Sequence, residues 1–333
     1  MRARASDRND DVSDASIRPG SLTRPSRLLA LGVGLAVLGA LILVAAACGS
    51  SGSTTQPTAT VTVTAPPATA SPSATPSTAP SLSGGATTTL SVYFLRPIGG
   101  TQPDHGPFIA TAHRPVPATT APASAAMRAL LAGPSGQERS IGMATVIPAG
   151  TRLLGLSISS GVATVDLSGA FASGGGSLSM TGRLAQVVYT LTQFQSVKEG
   201  VVFKVDGKPL TVLGGEGIML NKPQKRSDYE SVTPPIFVEK PAPFDGVTGK
   251  LVLKGTANVF EATFQAKLVS ATGRTISSLT VTATSGSGTR GTFQVNLPIS
   301  TTATQGRLVV WDASAENGSA LHTVRIPLTF GID

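Results

Sequence analysis

An uncharged apolar run of 20 residues, from Leu28 to Ala47, limits what the rest of this 333-residue chain can become. At about 1.5 Å per residue, a helix of this length just spans a bilayer core of about 30 Å. The 27 residues before the run carry six arginines and four aspartates, and this net positive charge keeps them on the cytoplasmic side. We therefore predict that residues 1–47 are a signal peptide or membrane anchor and that the following residues are exported.

The apolar run ends in small residues followed by Cys48, the one cysteine of the chain. This arrangement resembles a lipoprotein lipobox, in which the cysteine accepts a diacylglyceryl group and becomes the new N-terminus. The position three residues before the cysteine, commonly leucine in lipoboxes, is Ala45. We predict lipidation at Cys48, and the alternative is an uncleaved transmembrane helix beside an unmodified cysteine. Either would hold the protein at the extracytoplasmic face of the membrane.

Residues 48–88 have the composition of a linker. Of the 40 residues from Gly49 to Thr88, 36 are Gly, Ser, Thr, Pro or Ala, and none is charged. Such a segment buries too little apolar surface to offset the entropy cost of ordering it. We expect a disordered spacer between the membrane and the folded part of the chain.

The composition excludes several classes of function. Aromatic residues are 5% of the chain, too few for a sugar-binding platform or a base-stacking surface. A single cysteine excludes an internal disulfide and every multi-cysteine metal site. Twenty basic and 14 acidic residues follow residue 47, and this net charge of +6 favours anionic envelope surfaces. No basic stripe interleaved with aromatics is present, so nucleic acid is not an expected partner.

Residues 89–216 have the pattern of a mixed, α+β domain. Strands are expected at residues 89–95, 154–158, 163–167 and 201–205, and helices at residues 122–134 and 178–194. The middle two strands should form a hairpin with one buried face, and the second helix carries one apolar stripe. Residues 97–120, rich in Pro, Gly and Thr, are expected to form a loop. This order predicts a βαββαβ domain, a single sheet covered on one face by two helices.

Five blocks of this region resemble a GerMN domain, the spore-germination and sporulation module. The blocks are Ala129–Pro134, Ile147–Thr151, Val165–Ser168, Gln186–Phe194 and Val205–Gly207. The resemblance implies a fold similar to the ring-building modules of secretion systems. It carries no catalytic signature.

After a connector at residues 217–234, residues 235–333 have the pattern of an all-β immunoglobulin-like sandwich. Seven short strands are expected at residues 236–239, 250–255, 262–269, 278–284, 292–298, 307–312 and 322–330. Trp311 is expected to anchor the core. The blocks Gly255–Phe264, Gly291–Phe293 and Ala313–Ser319 resemble the Gmad2 immunoglobulin-like domain, which commonly follows GerMN modules. This second resemblance implies a binding or spacing module rather than an enzyme.

Residues that bind metals or cofactors are few and scattered. His105, His113 and His322 are expected to be solvated, and a two-histidine metal site completed by Asp104 is the alternative. Gly286–Gly291 matches GxGxxG, but it lies between two strands and offers no helix N-terminus to a pyrophosphate. We expect a hairpin loop there, and no metal or cofactor in the protein.

Carboxylates and basic residues also have ordinary structural interpretations. Asp166 and Asp206 end strands beside turn residues, where hydrogen bonds to backbone amides are expected in preference to an acid–base pair. Glu261 is expected to be half-buried and paired with a backbone amide or Lys254. Three basic residues of the connector are expected to be solvated, with contact to an anionic surface as the alternative. They are Lys222, Lys225 and Arg226.

These observations together predict a non-catalytic envelope lipoprotein that acts as an adaptor or scaffold by binding other envelope proteins. An association with sporulation or germination is implied only by the two family resemblances. The alternative is direct binding of a wall polymer, peptidoglycan or an anionic glycopolymer, which the charge of +6 and the outward spacer favour. A hydrolase that uses Asp166 is a third hypothesis.

Overall fold

The computed structural model describes residues 86–99, 106–215 and 217–331 of the chain, which belong to one compact unit. The predicted leader, Cys48 and nearly all of the predicted spacer lie outside the described residues. Two apolar cores are present, the first from residues between Val92 and Phe237 and the second from residues between Ile236 and Phe330. Within the described ranges, no helix is both long and apolar enough to cross a membrane.

The part of the chain that forms the first core contains both helices and strands. The helices are Pro122–Leu131 (α1), Gly136–Ser140 (α2) and Ser177–Leu191 (α3). The strands are Thr87–Arg96 (β1), Phe108–Pro117 (β2), Leu153–Ser159 (β3), Val162–Leu167 (β4), Gly200–Val205 (β5), Lys208–Pro209 (β6), Val212–Leu213 (β7) and Ile218–Met219 (β8). The sheet order is β3-β4-β5-β6, in which α3 connects the parallel strands β4 and β5. Short 3-10 segments lie at Gly169–Ala172 and Arg226–Val232.

The structure differs from the predicted βαββαβ order at β2, which lies inside the expected loop. This strand pairs antiparallel with β1 over its whole length, from Thr87 opposite Pro117 to Arg96 opposite Phe108. Its first half is apolar and buried, whereas its second half carries prolines, which edge strands tolerate because one side of the backbone needs no partner. The two strands form a sheet of their own, so β1 does not join the sheet that contains β3, β4 and β5.

From residue 182 onward, helix α3 is buried on all sides and not along a single stripe. Every residue from 182 to 191 is buried. The β1–β2 hairpin packs against the side of the helix that a single apolar stripe would leave exposed to solvent. The side chain of Gln193 exchanges two hydrogen bonds with the backbone of Ser91, at 2.9 and 2.6 Å. Nε2 of Gln186 donates to the carbonyl oxygen of Tyr93 at 3.1 Å. The two glutamines thus satisfy backbone groups on the free edge of β1 in place of a third strand.

Arg183 of α3 holds the loop that precedes the helix. Its side chain is among the largest that are fully buried, with 2% of the residue exposed. Its guanidinium donates to the carbonyl oxygens of Phe171, Ser173 and Gly174. Burial lowers the pKa of Arg183. The positive charge is therefore solvated by backbone carbonyls of the loop.

Arg114 of β2 and Glu138 of α2 form a bidentate ion pair with nitrogen–oxygen distances of 2.5 and 2.6 Å. The Glu138 carboxylate also accepts the backbone N–H of Ser135 at 2.7 Å, within a capping box at the start of α2. Burial raises the pKa of Glu138, but the bonds from Arg114 and Ser135 outweigh burial and lower the pKa below its ordinary 4.5. This pair therefore ties the hairpin to α2.

Replacing Glu138 with glutamine should lower the free energy of unfolding by about 2 kcal/mol at pH 7, because Arg114 loses a buried, charge-assisted partner. Urea unfolding of the wild type and of Glu138→Gln measures this difference. The depressed pKa gives stability that is complete above the unfolded-state value of 4.5 and is lost as the pH falls through the lower folded-state pKa. The two proteins should therefore converge as the pH is lowered from 4.5, and a difference that does not change with pH would contradict this account.

The second core lies between two sheets. Its strands are Ile236–Lys240 (β9), Gly246–Val247 (β10), Lys250–Ala257 (β11), Thr263–Ser270 (β12), Thr275–Thr282 (β13), Gly291–Pro298 (β14), Gln305–Ala313 (β15) and Ala320–Phe330 (β16). The sheet orders are β10-β16-β15-β12-β13 and β14-β11-β9. The seven predicted strands are confirmed, and β10 is an additional short strand.

Trp311 does not anchor this core, so that prediction is wrong. Side chains alternate along β15, and its inward positions are taken by Leu308 and Val310, which places Trp311 on the other face, half-buried. Two phenylalanines fill the centre of the core instead. The ring centroids of Phe264 and Phe293 lie 4.9 Å apart in an edge-to-face arrangement.

Candidate functional site at the domain junction

Strand β9 contributes to both cores. Phe237 belongs to the first core, whereas its neighbours Ile236 and Val238 belong to the second. Successive side chains of a strand point to opposite faces, so one strand forms a wall of each domain. A strand that is buried on both faces has a continuous apolar sequence, which explains the run Ile-Phe-Val at this point.

Arg226 connects the two domains beside β9. Its guanidinium lies 4.7 Å from the ring centroid of Tyr189 and 5.4 Å from that of Tyr93. It forms an ion pair with Glu239 of β9 and donates to Oγ1 of Thr192 at 2.8 Å. Only 27% of the Arg226 side chain and 23% of the Glu239 side chain are exposed. Because the tyrosines belong to the first domain and Glu239 to the second, one cation binds groups from both.

Further polar contacts join the β1–β2 hairpin to the second domain. Oγ1 of Thr111 donates to the carbonyl oxygen of Val238 at 3.1 Å. Nδ1 of His113 lies 2.8 Å from a carboxylate oxygen of Asp245. The unpredicted strand β2 supplies both of these contacts, so it is central to the junction.

A cavity of about 280 Å³ lies between the hairpin and the sandwich. Its lining is largely aliphatic and includes Ile98, Ile109, Pro234, Ile236, Pro243 and Val324. Two arginines, Arg96 and Arg325, also line it, and the lining residues that the structure describes include no aspartate or glutamate. The cavity thus combines apolar walls with two positive charges.

The two arginines are held next to each other by the backbone. Gly99 and Thr323 form an isolated β-bridge with N–O distances of 2.8 and 2.6 Å. Nη1 of Arg96 donates to the carbonyl oxygen of Arg325 at 2.8 Å, and Nε of Arg96 donates to that of Ile141 at 2.9 Å. Burial and then the charge of Arg325 lower the pKa of Arg96. Among the described residues, neither arginine forms an ion pair.

The two strand-end aspartates bind backbone amides, as predicted. Oδ1 of Asp166 accepts the N–H of Gly207 at 3.0 Å, and Oδ1 of Asp206 accepts the N–H of Gly169 at 3.0 Å. Both carboxylates therefore hold turns at one end of the β4–β5 pair. Neither residue lines the junction cavity.

The histidines that the structure describes are each bound to an aspartate and are not simply solvated. His113 pairs with Asp245, as given above, and Nδ1 of His322 lies 2.8 Å from Oδ1 of Asp312. The sequence did not indicate the pairing of Asp312, because this aspartate occupies an inward position of β15, where an apolar residue is expected. His105 and Asp104, the other members of the alternative metal site, lie outside the described residues. Within the described residues, no three His, Cys, Asp or Glu side chains lie close enough to hold a metal.

The connector residues differ from the prediction in one case. Lys222 and Lys225 are exposed and pair with Asp228 and Glu199 at 2.9 and 3.2 Å. Arg226 is mostly buried, as described above, so the expectation of a solvated side chain is wrong for this residue. Its burial depends on β9 and α3 meeting in space, which no local pattern reveals.

Two other local predictions are corrected. Glu261 is exposed and not half-buried. Its backbone has a left-handed φ of 52°, and its backbone N–H donates to Oγ of Ser287. Gly286–Gly291 is a loop between strands, as expected, but it is not a hairpin. It crosses from β13 in one sheet to β14 in the other. A strand, and not a helix, follows this loop.

Arg96 and Arg325 were missed by reasoning from the sequence. Arg96 ends an apolar strand, and Arg325 stands between inward-facing apolar residues of β16, which are ordinary positions for a solvated charge. The residues lie 229 positions apart and meet only because the hairpin packs on the sandwich. No signal within either segment would have paired them.

The fold defines a two-domain protein in which a mixed α/β domain is followed by an immunoglobulin-like β-sandwich. Residues 91–211 match the family Germane, described as sporulation and spore germination. Residues 235–319 match Gmad2, described as the immunoglobulin-like domain of bacterial spore germination. The chain therefore carries a GerMN-type domain followed by a Gmad2 domain, in the order that the sequence predicted.

Several solved structures are similar to parts of the chain. A Clostridium perfringens protein described as a lipoprotein is 24% identical, with a TM-score of 0.31, over 44% of this chain and 93% of its own. The first GerMN domain of the sporulation protein GerM from Bacillus subtilis is 21% identical, with a TM-score of 0.34, over 43% of this chain and 100% of its own. The tandem GerMN domains of the same protein are 17% identical, with a TM-score of 0.35, over 64% of this chain and 61% of theirs. Among curated proteins, none matches the chain.

Proposed function

We propose that this protein is a membrane-tethered scaffold of the cell envelope that binds other envelope proteins and performs no chemical turnover. Residues 1–47 are its leader or anchor, Cys48 its lipidation site and residues 48–88 its spacer. Residues 89–216 and 235–333 are its two binding domains, joined by a connector at 217–234. The family descriptions support a role in sporulation or germination where the source cell undergoes them.

The observation that carries this proposal is the shared strand β9, together with Arg226. Two domains that were joined only by a linker would reorient freely. Here Phe237 is part of the first core while Ile236 and Val238 are part of the second. A body of this kind presents the surfaces of both domains in one fixed arrangement, which is what a scaffold requires.

Crosslinking in intact cells tests the scaffold role. The full chain, with a photoreactive amino acid at exposed positions of either domain, should give the same defined protein adduct in repeated experiments. Adducts to wall polymer, or cosedimentation with isolated walls that salt abolishes, would instead support the alternative of polymer binding. The absence of any defined protein adduct from both domains would contradict the scaffold role.

Labelling with a clickable fatty acid tests whether Cys48 is lipidated and whether the protein is attached to the membrane. The natural chain should incorporate the label and fractionate with membranes, whereas Cys48→Ser should lose the label. If Cys48→Ser lacks the label but still fractionates with membranes, the result would support the transmembrane alternative. A natural chain without label would contradict lipidation at Cys48.

A further inference from the structure

The junction cavity brings together two arginines that repel each other, and none of the described residues that line it is acidic. Like charges kept side by side cost free energy unless a counter-charge is present. The structure maintains this arrangement through the bridge between Gly99 and Thr323 and through the bond from Arg96 to the backbone of Arg325. A ligand that supplies the missing negative charge would remove the repulsion.

Gly99 lets the second guanidinium approach. A methyl group at Gly99 would come within 2.6 Å of Nη1 of Arg325, closer than non-bonded atoms tolerate. Nη1 of Arg325 therefore lies directly over the backbone of Gly99, on the cavity lining and close to Arg96. The end of the Arg325 side chain thus occupies the space that a side chain at residue 99 would take.

The walls and the size of the cavity restrict the rest of the ligand. Most of the lining away from the arginines consists of proline, isoleucine and valine side chains, which suit an aliphatic group, and two threonines add polar atoms. Its volume of about 280 Å³ lies just below the range of roughly 300–1,000 Å³ that is typical of drug-sized ligands. Guanidinium groups recognise carboxylates through paired N–H donors.

We propose that the junction cavity binds an aliphatic carboxylate, with its carboxylate at Arg96 and Arg325 and its small apolar body against the aliphatic walls. This chemistry is shared by a free short-chain acid and by the C-terminal residue of a peptide. The proposal goes beyond the scaffold role, because a scaffold does not require the cavity to be filled. Its test therefore measures binding to the purified full chain, without any envelope partner.

Isothermal titration calorimetry with butanoate, with the uncharged butanamide and with N-acetyl-alanyl-valine provides the test. We expect butanoate to bind at least about tenfold more tightly than butanamide, since the charge-assisted bonds are lost in the amide. Binding of butanoate alone identifies a free acid as the source, binding of the peptide alone identifies a chain terminus, and binding of both supports the shared chemistry. No saturable binding of either acid, or equal binding of acid and amide, would overturn the proposal.

Variants locate the binding site. Arg325→Gln should weaken binding of the acid by about tenfold. Arg307→Gln, which removes an exposed arginine from neighbouring β15 outside the cavity lining, should leave the affinity within twofold. Equal effects of these two variants would overturn the assignment, because they would indicate general attraction to positive charge. If the acid binds only to Asp104→Asn, the assignment is also overturned, since the site would then bind a carboxylate of the chain itself.

Discussion

Replacing Arg226 with alanine should lower the free energy of unfolding by about 3 kcal/mol. The variant leaves the Glu239 carboxylate, which is mostly buried, without its partner, and it removes the cation from the faces of Tyr93 and Tyr189. Loss of one member of a buried ion pair costs about 3–5 kcal/mol, and the partial exposure of this pair places the effect at the low end. Urea unfolding at pH 7, followed by circular dichroism, gives the value.

A second variant separates the buried charge from the lost packing. In Arg226→Ala combined with Glu239→Ala, no unpaired carboxylate remains, so part of the lost stability should return.

Lys225→Ala is the matched control, because the adjacent lysine forms an exposed pair with Glu199, and its removal should cost less than about 1 kcal/mol. We also expect the unfolding transition of Arg226→Ala to broaden or split as the domains lose their coupling. If Arg226→Ala unfolds in a single transition and loses less unfolding free energy than Lys225→Ala, Arg226 does not stabilise the junction.

Replacing Arg183 with methionine should have an effect of similar size in the first domain, about 3 kcal/mol. Methionine preserves apolar volume but leaves the carbonyl oxygens of Phe171, Ser173 and Gly174 without a donor inside the protein. Each buried acceptor without a partner costs about 1–3 kcal/mol, and relaxation of the loop recovers part of the total. The melting temperature should fall by roughly 6–12 °C, at about 2–4 °C per kcal/mol for a protein of this size.

The geometry of the guanidinium, and not its charge alone, should account for this loss. Arg183→Lys keeps the charge, but an ammonium group cannot reach three carbonyls through a planar fork, so it should recover less than half of the stability. Arg152→Met, at an exposed arginine, is the control and should change the melting temperature by less than about 2 °C. A lysine variant as stable as the wild type would show that charge alone is required.

The sequence predicted the elements whose apolar residues recur with a regular period and whose ends carry turn residues. The strands of the sandwich and both long helices follow from apolar periods and turn residues, and the amide bonds of Asp166 and Asp206 follow from their places beside turns. Strand β2 could not be predicted in this way. Its buried half is short, and its other half carries prolines that are typical of loops, so only the pairing with β1 makes it a strand.

The candidate site escaped prediction for a related reason. Gln186 and Gln193 look like the polar face of an amphipathic helix, and their role becomes visible only when the hairpin lies against α3. Arg226 likewise resembles a solvated connector residue until β9 brings Glu239 beside it. In each case a polar residue is buried by an element that is distant in sequence, and local patterns do not record such contacts.

The position of β16 has a consequence for how the molecule matures. This strand is not at an edge but lies between β10 and β15, and Thr323 on it also pairs with Gly99 of the first domain. Proteins emerge from the ribosome from the N-terminus onward, so more than 220 residues are made after Gly99 before its partner exists. Until then, β15 presents an open edge to other chains, and the two arginines of the cavity remain apart. The junction between the domains can therefore be completed only after β16 has been synthesised.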